Sequence, residues 1–375
     1  MLAYLDNSAT TKPCPEAVAA MVDALETGWG NPSALYRFGM DAARRLRVAR
    51  EQVAKALGAE PDRVFFTSGG TEADNWAVGS SMERMGKRGK HVVTTAVEHH
   101  AVLNPVKRLE ERGFAVTYLE PDASGRIGLE DFKQALRPDT VFVSVMMVNN
   151  ESGAVMPVGA MAKWTRRLAP QAIFHTDAVQ GFLKVPFQAG TLGADLISVS
   201  SHKIHGPKGA GALYVRRGLS LPPFLLGGGQ EGGYRSGTEA VPAVVGFGAA
   251  CAAALPTLRR DLDREAALRD RCAGLLEEIP GVQVLGAREA PHILLASIPG
   301  VPVQNTINLL QDLEICVSAG SACAKGHRSH VLQAMKLPPE VIDGAFRISL
   351  SRFTTPEEVD RLAEGVRAVV RRMKP

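Results

Sequence analysis

Cysteine is scarce, and its spacing excludes more than its number. The five, Cys14, Cys251, Cys272, Cys316 and Cys323, are odd in count and form no CxxC pair. A disulfide-built fold and a CxxC zinc or redox site are thereby set aside. The N-terminus, MLAYLDNSATTKP, lacks a basic stretch followed by an apolar one, so it does not read as a secretory leader. A reducing cytoplasm is the expected location. Long apolar runs are also missing from the letter string. The most apolar stretch, VVGFGAACAAA, falls short of the ~18 residues of a membrane span, and no membrane partner is expected. Nor is there a surplus of one charge: 43 Lys and Arg against 39 Asp and Glu leave a net charge of +4. The basic clusters RRLRVAR, KRGK, WTRRLAP, YVRRG and VVRRMKP lie far apart, which gives no support for direct nucleic-acid binding.

What is present is ordinary for a globular protein. Hydrophobic residues make up 45% and charged residues 22% of 375 positions, enough for two domains. Short apolar runs alternate with helical patterns. RVFFT (63–67), HVVTT (91–95), AVTYL (115–119), TVFVSVMMV (140–148), AIFHTD (172–177), DLISVS (195–200) and GALYV (211–215) read as strands. Several are apolar on both faces, as buried parallel strands are. Helical patterns such as TEADNWAVGSSMERMG and GLEDFKQALR lie between them. The expectation is an α/β fold, a mostly parallel sheet in a large domain over 15–255. A smaller α+β domain is expected from 1–14 and 256–375, where Pro256 interrupts an Ala-rich helix, a charged helix follows and the texture changes.

In such sheets ligands bind beyond the carboxyl ends of the strands. Four strands end in SGGTEADN, NNESG, DAVQG and SHKIHGPKG, all polar or glycine-rich. In the first, the N–H groups of Gly70 and Thr71 at a helix start suit a phosphate, although a capping role for Thr71 fits as well. The segment is neither a Walker A nor a GxGxxG motif. Asp177 ends an apolar strand and needs a cationic partner. Lys203, beside a glycine-rich turn, can act as an amine nucleophile if enclosed. An anion cradle, a buried carboxylate and an enclosed lysine are together what pyridoxal 5'-phosphate needs. His99 and His100 follow another strand and can stack on a flat ring or move protons. The His202/His205 and His327/His330 spacings raise zinc, but no cysteine or carboxylate cluster accompanies them. Finally, SAGSACAKGHRSH (318–330) sets Cys323 among small residues beside Lys325, His327 and Arg328, where a thiol ionises readily.

The chain resembles the cysteine desulfurases of the NifS/IscS type, in the class V aminotransferase branch of fold-type I pyridoxal-phosphate enzymes. The matching stretches are YLDNSATT (4–11), GNPSALYRFG (30–39), FFTSGGTEADN (65–75), VEHHAV (97–102), VNNESG (148–153), HTDAVQ (175–180), SSHKIHGPKGAGALYVRR (200–217), YRSGTEAVPAVVGFG (234–248), SAGSACA (318–324) and FRISLSRFTTPEEVD (346–360). They run in family order over nearly the whole chain.

The resemblance implies roles. Lys203 would bond the cofactor aldehyde and move the substrate α-proton. Asp177 would pair with the ring nitrogen, and Gln180 and Asn150 with the phenolic oxygen side. His99, rather than His100, would stack on the ring. Gly70, Thr71, Ser200 and His202 would hold the phosphate, and Thr238 would reach it from the other subunit of a homodimer. Arg347, in preference to Arg352, would clamp the carboxylate of L-cysteine. Cys323 would take the substrate sulfur as a persulfide and release alanine. A sulfur-acceptor protein would then draw on it for iron–sulfur cluster assembly or for thiolation of tRNA or cofactors. The alternatives are a selenocysteine lyase or another class V aminotransferase or lyase; transamination needs no thiol, which favours desulfuration. The stretch SACAKGHRSHVL is shorter and more basic than the family's usual longer loop, and the chain stops soon after its last helix at RRMKP.

Overall fold

The computed structural model describes residues 2–319 and 328–373; Cys323, Lys325 and His327 lie outside the described residues. The strands, in chain order, are β1 (Ala3–Tyr4), β2 (Val64–Thr67), β3 (His91–Thr95), β4 (Ala115–Leu119), β5 (Thr140–Ser144), β6 (Ile173–Asp177), β7 (Leu196–Ser200), β8 (Gly211–Val215), β9 (Gln283–Leu285), β10 (Ile293–Ser297), β11 (Ile315–Cys316) and β12 (Ala345–Ser349).

Seven strands form one sheet in the order β2-β8-β7-β6-β5-β3-β4. The strands from β7 to β4 run parallel, while β8 is antiparallel to both β7 and β2. Connection length explains the reversal. A parallel return needs a crossover of a dozen or more residues, and only residues 201–210 join β7 to β8. That same short connection keeps Lys203 at the sheet's rim. Every residue of β3, β5, β6, β7 and β8 is buried, because helices cover both faces. Gly70–Met85 and His100–Glu110 pack on one face through Trp76, Val102 and Phe142. Arg37–Leu57, Val158–Leu168 and Val241–Ala254 cover the other through Val53, Met161 and Phe247.

One expectation changes. The run at 140–148 is a strand only to Ser144. Beyond it the chain still follows β6, with the Val145 and Met147 N–H groups donating to His175 and Asp177 carbonyls. The Met146 N–H turns away to the Glu98 carboxylate at 2.7 Å, which breaks the ladder. Pro256 does interrupt the Ala-rich helix: Val241–Ala254 passes through a 3-10 turn at Leu255–Thr257 into the charged helix Leu258–Glu277. A helical run continues over Val241–Glu277, and an 18-residue window in it has a mean hydropathy of 1.8. By length and composition it is apolar enough to cross a membrane, more so than the letter string suggests. Within the fold it behaves as a core helix, packed on Pro15–Glu26 and Arg37–Leu57. Gly248 permits that approach: a Cβ there would meet Ala49 Cα at 2.7 Å.

A second core gathers Leu268, Leu276, Leu294, Phe346, Val359 and Val366 around the antiparallel order β12-β10-β9. Ala3 and Leu5 join it, because β1 pairs in parallel with β11. From Asp6 onward the chain leaves this core and crosses to the sheet's rim.

Candidate active site

The polar strand ends converge on one cavity of about 300 Å³. Gly70, Thr71, His99, Asn150 and Asp177 line it, as do Gln180, Ser200, His202, Lys203 and Arg347. Each was expected at the site from the sequence. Thr238 does not line it and is exposed in the single chain. Cys323 lies outside the described residues. Arg352 is elsewhere, with its guanidinium over the Phe353 ring, so Arg347 is the arginine that faces the cavity.

One wall is the start of helix Gly70–Met85. Its N-cap is Gly69, with no side-chain capping bond among the described residues, so Thr71 is not the cap. The acidic residue of the first turn, Glu72, is held by Arg235 at 2.7 Å. The first-turn N–H groups and the positive end of the dipole therefore face the cavity. Space at 70 is tight: a Cβ there would come within 2.6 Å of Val179 Cγ2, so the Val179 side chain would have to shift.

Asp177 closes β6 at the floor. Its Oδ1 accepts the Val179 N–H at 2.8 Å. Burial pushes its carboxyl up to about 6, against the pull of that bond and of the Lys203 ammonium. Lys203 stands on the turn after β7 and donates to the Ser8 and Ala9 carbonyls at 2.7 and 2.8 Å. These carbonyls belong to the crossing N-terminal segment, which is also tied to Gln180 through Ser8 O at 2.9 Å and to His202 through Thr10 Oγ1 at 3.1 Å.

His99 caps the next helix, its Nδ1 accepting the Ala101 N–H at 3.1 Å. In the neutral ring the proton is thus on Nε2. Burial, then the Lys203 charge, lowers its pKa to about 4, so the ring is neutral at pH 7. His202 is likewise lowered to about 4 by burial and by Lys203. On the far wall, Arg347 is 2% exposed and donates to Asn150 O and to Asp6 Oδ1, both at 2.8 Å.

Several lining residues escaped the sequence reading. Ser8 and Ala9 supply the Lys203 acceptors. Asp74 stands one turn beyond Thr71. Glu151 accepts the Ser329 hydroxyl at 2.6 Å, and the His330 ring lies against His100 with centroids 4.8 Å apart, tilted by 41°. Glu98, just behind His99, is wholly buried and pushed up to about 8. Only Asp74 had a local signal, its place on the cavity-facing side of a helix whose start was already suspected.

A buried carboxylate facing an amine, beside an open helix N-terminus, can hold a flat, phosphorylated, nitrogen-containing ring. An arginine across the cavity can hold a second carboxylate.

Comparison with known proteins agrees. Residues 3–362 match the aminotransferase class V family. A protein named cysteine desulfurase from Trichormus azollae is 42% identical over 376 residues, covering 99% of this chain and 93% of that one. A solved structure titled NifS-like protein superposes with a TM-score of 0.94 at 36% identity, over 99% of this chain and 100% of the other. Another, titled SspA in complex with cysteine, gives 0.79 at 32% identity, over 94% and 99%. With the fold, the cavity and these likenesses in agreement, the chain belongs to the class V aminotransferase family and, within it, to the cysteine desulfurases.

Proposed function

We propose that this desulfurase takes sulfur from L-cysteine in the cavity between β6, β7 and Arg347, with Lys203 as the proton-moving amine and Cys323 as the sulfur acceptor. The observation that carries this is the meeting of Lys203 and Asp177 in one cavity with an uncapped helix N-terminus. Pyridoxal 5'-phosphate fits the residues present. Gly70, Thr71, Ser200 and His202 would hold its phosphate, where any Cβ at 70 would crowd the cradle. Asp177 would meet its ring nitrogen, His99 one ring face, and Gln180 and Asn150 the phenolic oxygen. When bound, it supplies a sink for the electron pair left at the substrate α-carbon.

The chain's own residues do the rest. The Arg347 fork is already oriented by Asp6 and Asn150 and faces the cavity, so it suits the substrate carboxylate. The neutral His99 keeps the ring face free of a second cation near Lys203. Lys203 removes the α-proton from above Asp177. The Cys323 thiolate attacks the substrate sulfur. An S–S bond forms as the C–S bond breaks, the electron pair leaves with the carbon, and protonation there gives alanine. The solved relative titled as a complex with cysteine supports the choice of substrate. The deciding experiment is peptide mass analysis after brief exposure of the cofactor-loaded protein to L-cysteine. The Cys323 peptide should gain one sulfur atom; an unmodified peptide from protein that does turn over amino acids would sink this reading.

The division into 15–255 and 1–14 with 256–375 belongs to the same reading, supported by Ala3 and Leu5 in the second core. So do a cytoplasmic setting and a downstream acceptor protein for iron–sulfur assembly or thiolation. A homodimer is supported by the exposed apolar side chains of the segment 29–40: Leu35 is 92% exposed, Tyr36 and Met40 are exposed, and exposed Trp29 stacks on exposed Phe38. A surface of that kind marks an interface. The Leu35→Asp, Tyr36→Asp double variant should weaken dimerisation by about 10³-fold, from the ~1.5–3 kcal/mol that each buried side chain contributes. Light scattering over a dilution series checks it. If Thr238 completes the partner's site, the monomer also binds the cofactor more weakly.

A further inference from the structure

The cavity floor holds a second carboxyl that the roles above leave without work. Asp74 lines the cavity from helix Gly70–Met85 and is 1% exposed. Its Oδ1 has no hydrogen-bond partner among the described residues. Its side chain bonds to Ser198, and Oδ1 lies 3.5 Å from His175 Nε2. That imidazole bonds to Ser198 Oγ at 2.9 Å and to Ser144 Oγ at 2.8 Å. Every member of this Asp74–Ser198–His175–Ser144 chain is buried.

The groups facing Asp74 are His175 and Asp177 from β6, Ser198 from β7, and Glu98 from the loop after β3. None of the four is a cation. Burial lowers His175 to about 3, so its ring is neutral. Asp177 carries charge of the wrong sign for Asp74, and Glu98, pushed up to about 8 by burial, is neutral near pH 7 and turns the same sign when it ionises. Two carboxyls sharing a dry site cannot both ionise. Asp177 has what an anion needs, the Val179 N–H at 2.8 Å and the Lys203 ammonium acting on it. Asp74 has only neutral or acidic neighbours among these. The geometry thus assigns the single charge to Asp177 and the proton to Asp74.

We propose that Asp74 is a positioning residue that keeps its proton, anchoring the Ser198–His175–Ser144 chain as a neutral group and leaving Asp177 as the lone anion beneath the cofactor's ring nitrogen. The functional half of this rests on the pyridoxal-phosphate reading above; the protonation half stands on the apoprotein alone. The two halves are therefore tested separately.

Asp74→Asn replaces a neutral carboxyl by a neutral amide of the same shape. In the apoprotein, a carboxyl that holds its proton more tightly folded than unfolded adds stability that is complete below its unfolded pKa. That stability is lost as pH rises toward its folded pKa. Asparagine has no such loss. Thermal melts from pH 4.5 to 8.5 should therefore show D74N gaining on the wild type as pH rises. A gain that shrinks or reverses with pH means Asp74 is ionised and overturns the proposal. Failure of D74N to fold also overturns it, because a neutral site accepts the amide. In the loaded protein, D74N should bind pyridoxal 5'-phosphate within about threefold of the wild type. The pH midpoint of the bound cofactor's visible band should stay unchanged. Removing an anion near the ring would instead lower that midpoint by about one unit or more and weaken binding about tenfold, which refutes the proposed role. Wild-type protein that takes up no cofactor counts against the functional half, and the apoprotein melts still decide where the proton is.

Discussion

Replacing Lys203 by alanine is expected to cut alanine formation from L-cysteine by at least about 10²–10⁴-fold, the range for losing a positioned acid–base group. The loss should exceed that range if the covalent link to the cofactor is also needed. The geometry says why no neighbour can substitute. The Lys203 ammonium is held by the Ser8 and Ala9 carbonyls, and the two imidazoles its charge acts on, those of His99 and His202, are both neutral near pH 7 with pKa lowered to about 4. Neither can accept a proton readily near pH 7. A second consequence reaches Asp177. The Lys203 charge holds that carboxyl down against burial. Without it Asp177 moves further above the ordinary carboxylate range and keeps its proton to higher pH. K203A should therefore lose cofactor more readily on dialysis, and the loss should ease as pH rises and Asp177 ionises. Lys203→Arg is expected to rescue the charge on Asp177 but not turnover, because guanidinium does not give up its proton. Alanine assay and cofactor absorbance after dialysis separate the two effects. Turnover of either variant within tenfold of the wild type would remove Lys203 from its role.

Much of this site could be read from the letters because strand ends announce themselves. A run such as AIFHT that breaks on Asp177, or LISVS that breaks on SHK, places a charge where a buried strand meets the rim. What the letters hide is contact between distant segments. Arg347 meets Asp6 across 341 positions, and Lys203 meets Ser8 across 195. No local pattern predicts either pairing, and Arg347 was found through family likeness alone. Burial is hidden as well. Nothing in the letters marks Glu98, Asp74 and Glu151 as buried, yet each is wholly enclosed, and Glu98 takes the Met146 N–H from the strand beside it. The direction of β8 was in the sequence all along, in the shortness of 201–210, but only a rule about crossovers extracts it.

Cys323→Ser should abolish sulfur transfer while leaving cofactor and cysteine binding intact. A hydroxyl at neutral pH is not the nucleophile a thiolate is, so the drop should be about 10³-fold or more, ~4 kcal/mol in barrier. The other thiols offer no replacement. Burial raises Cys14 and Cys251 and pushes Cys272 up to about 12. Cys316 is also raised by burial, with Asp6 adding to it. None of the four is a ready thiolate. The described flanks of the Cys323 stretch both lie at the cavity wall. Ser318 exchanges two backbone bonds with Arg347, at 3.1 and 2.7 Å, so the chain departs directly beside the residue assigned to the substrate carboxylate. It is recovered at Ser329, whose hydroxyl is held by Glu151, and at His330, which lines the same cavity. Five residues from Ser318 span at most about 17 Å, which sets the longest reach of Cys323 from the Arg347 wall. Mass analysis should therefore find sulfur on the wild-type peptide, none on C323S and an undiminished signal on Cys316→Ser. Sulfur appearing on Cys316 in C323S would show that the fold, rather than the particular thiol, decides where it is delivered.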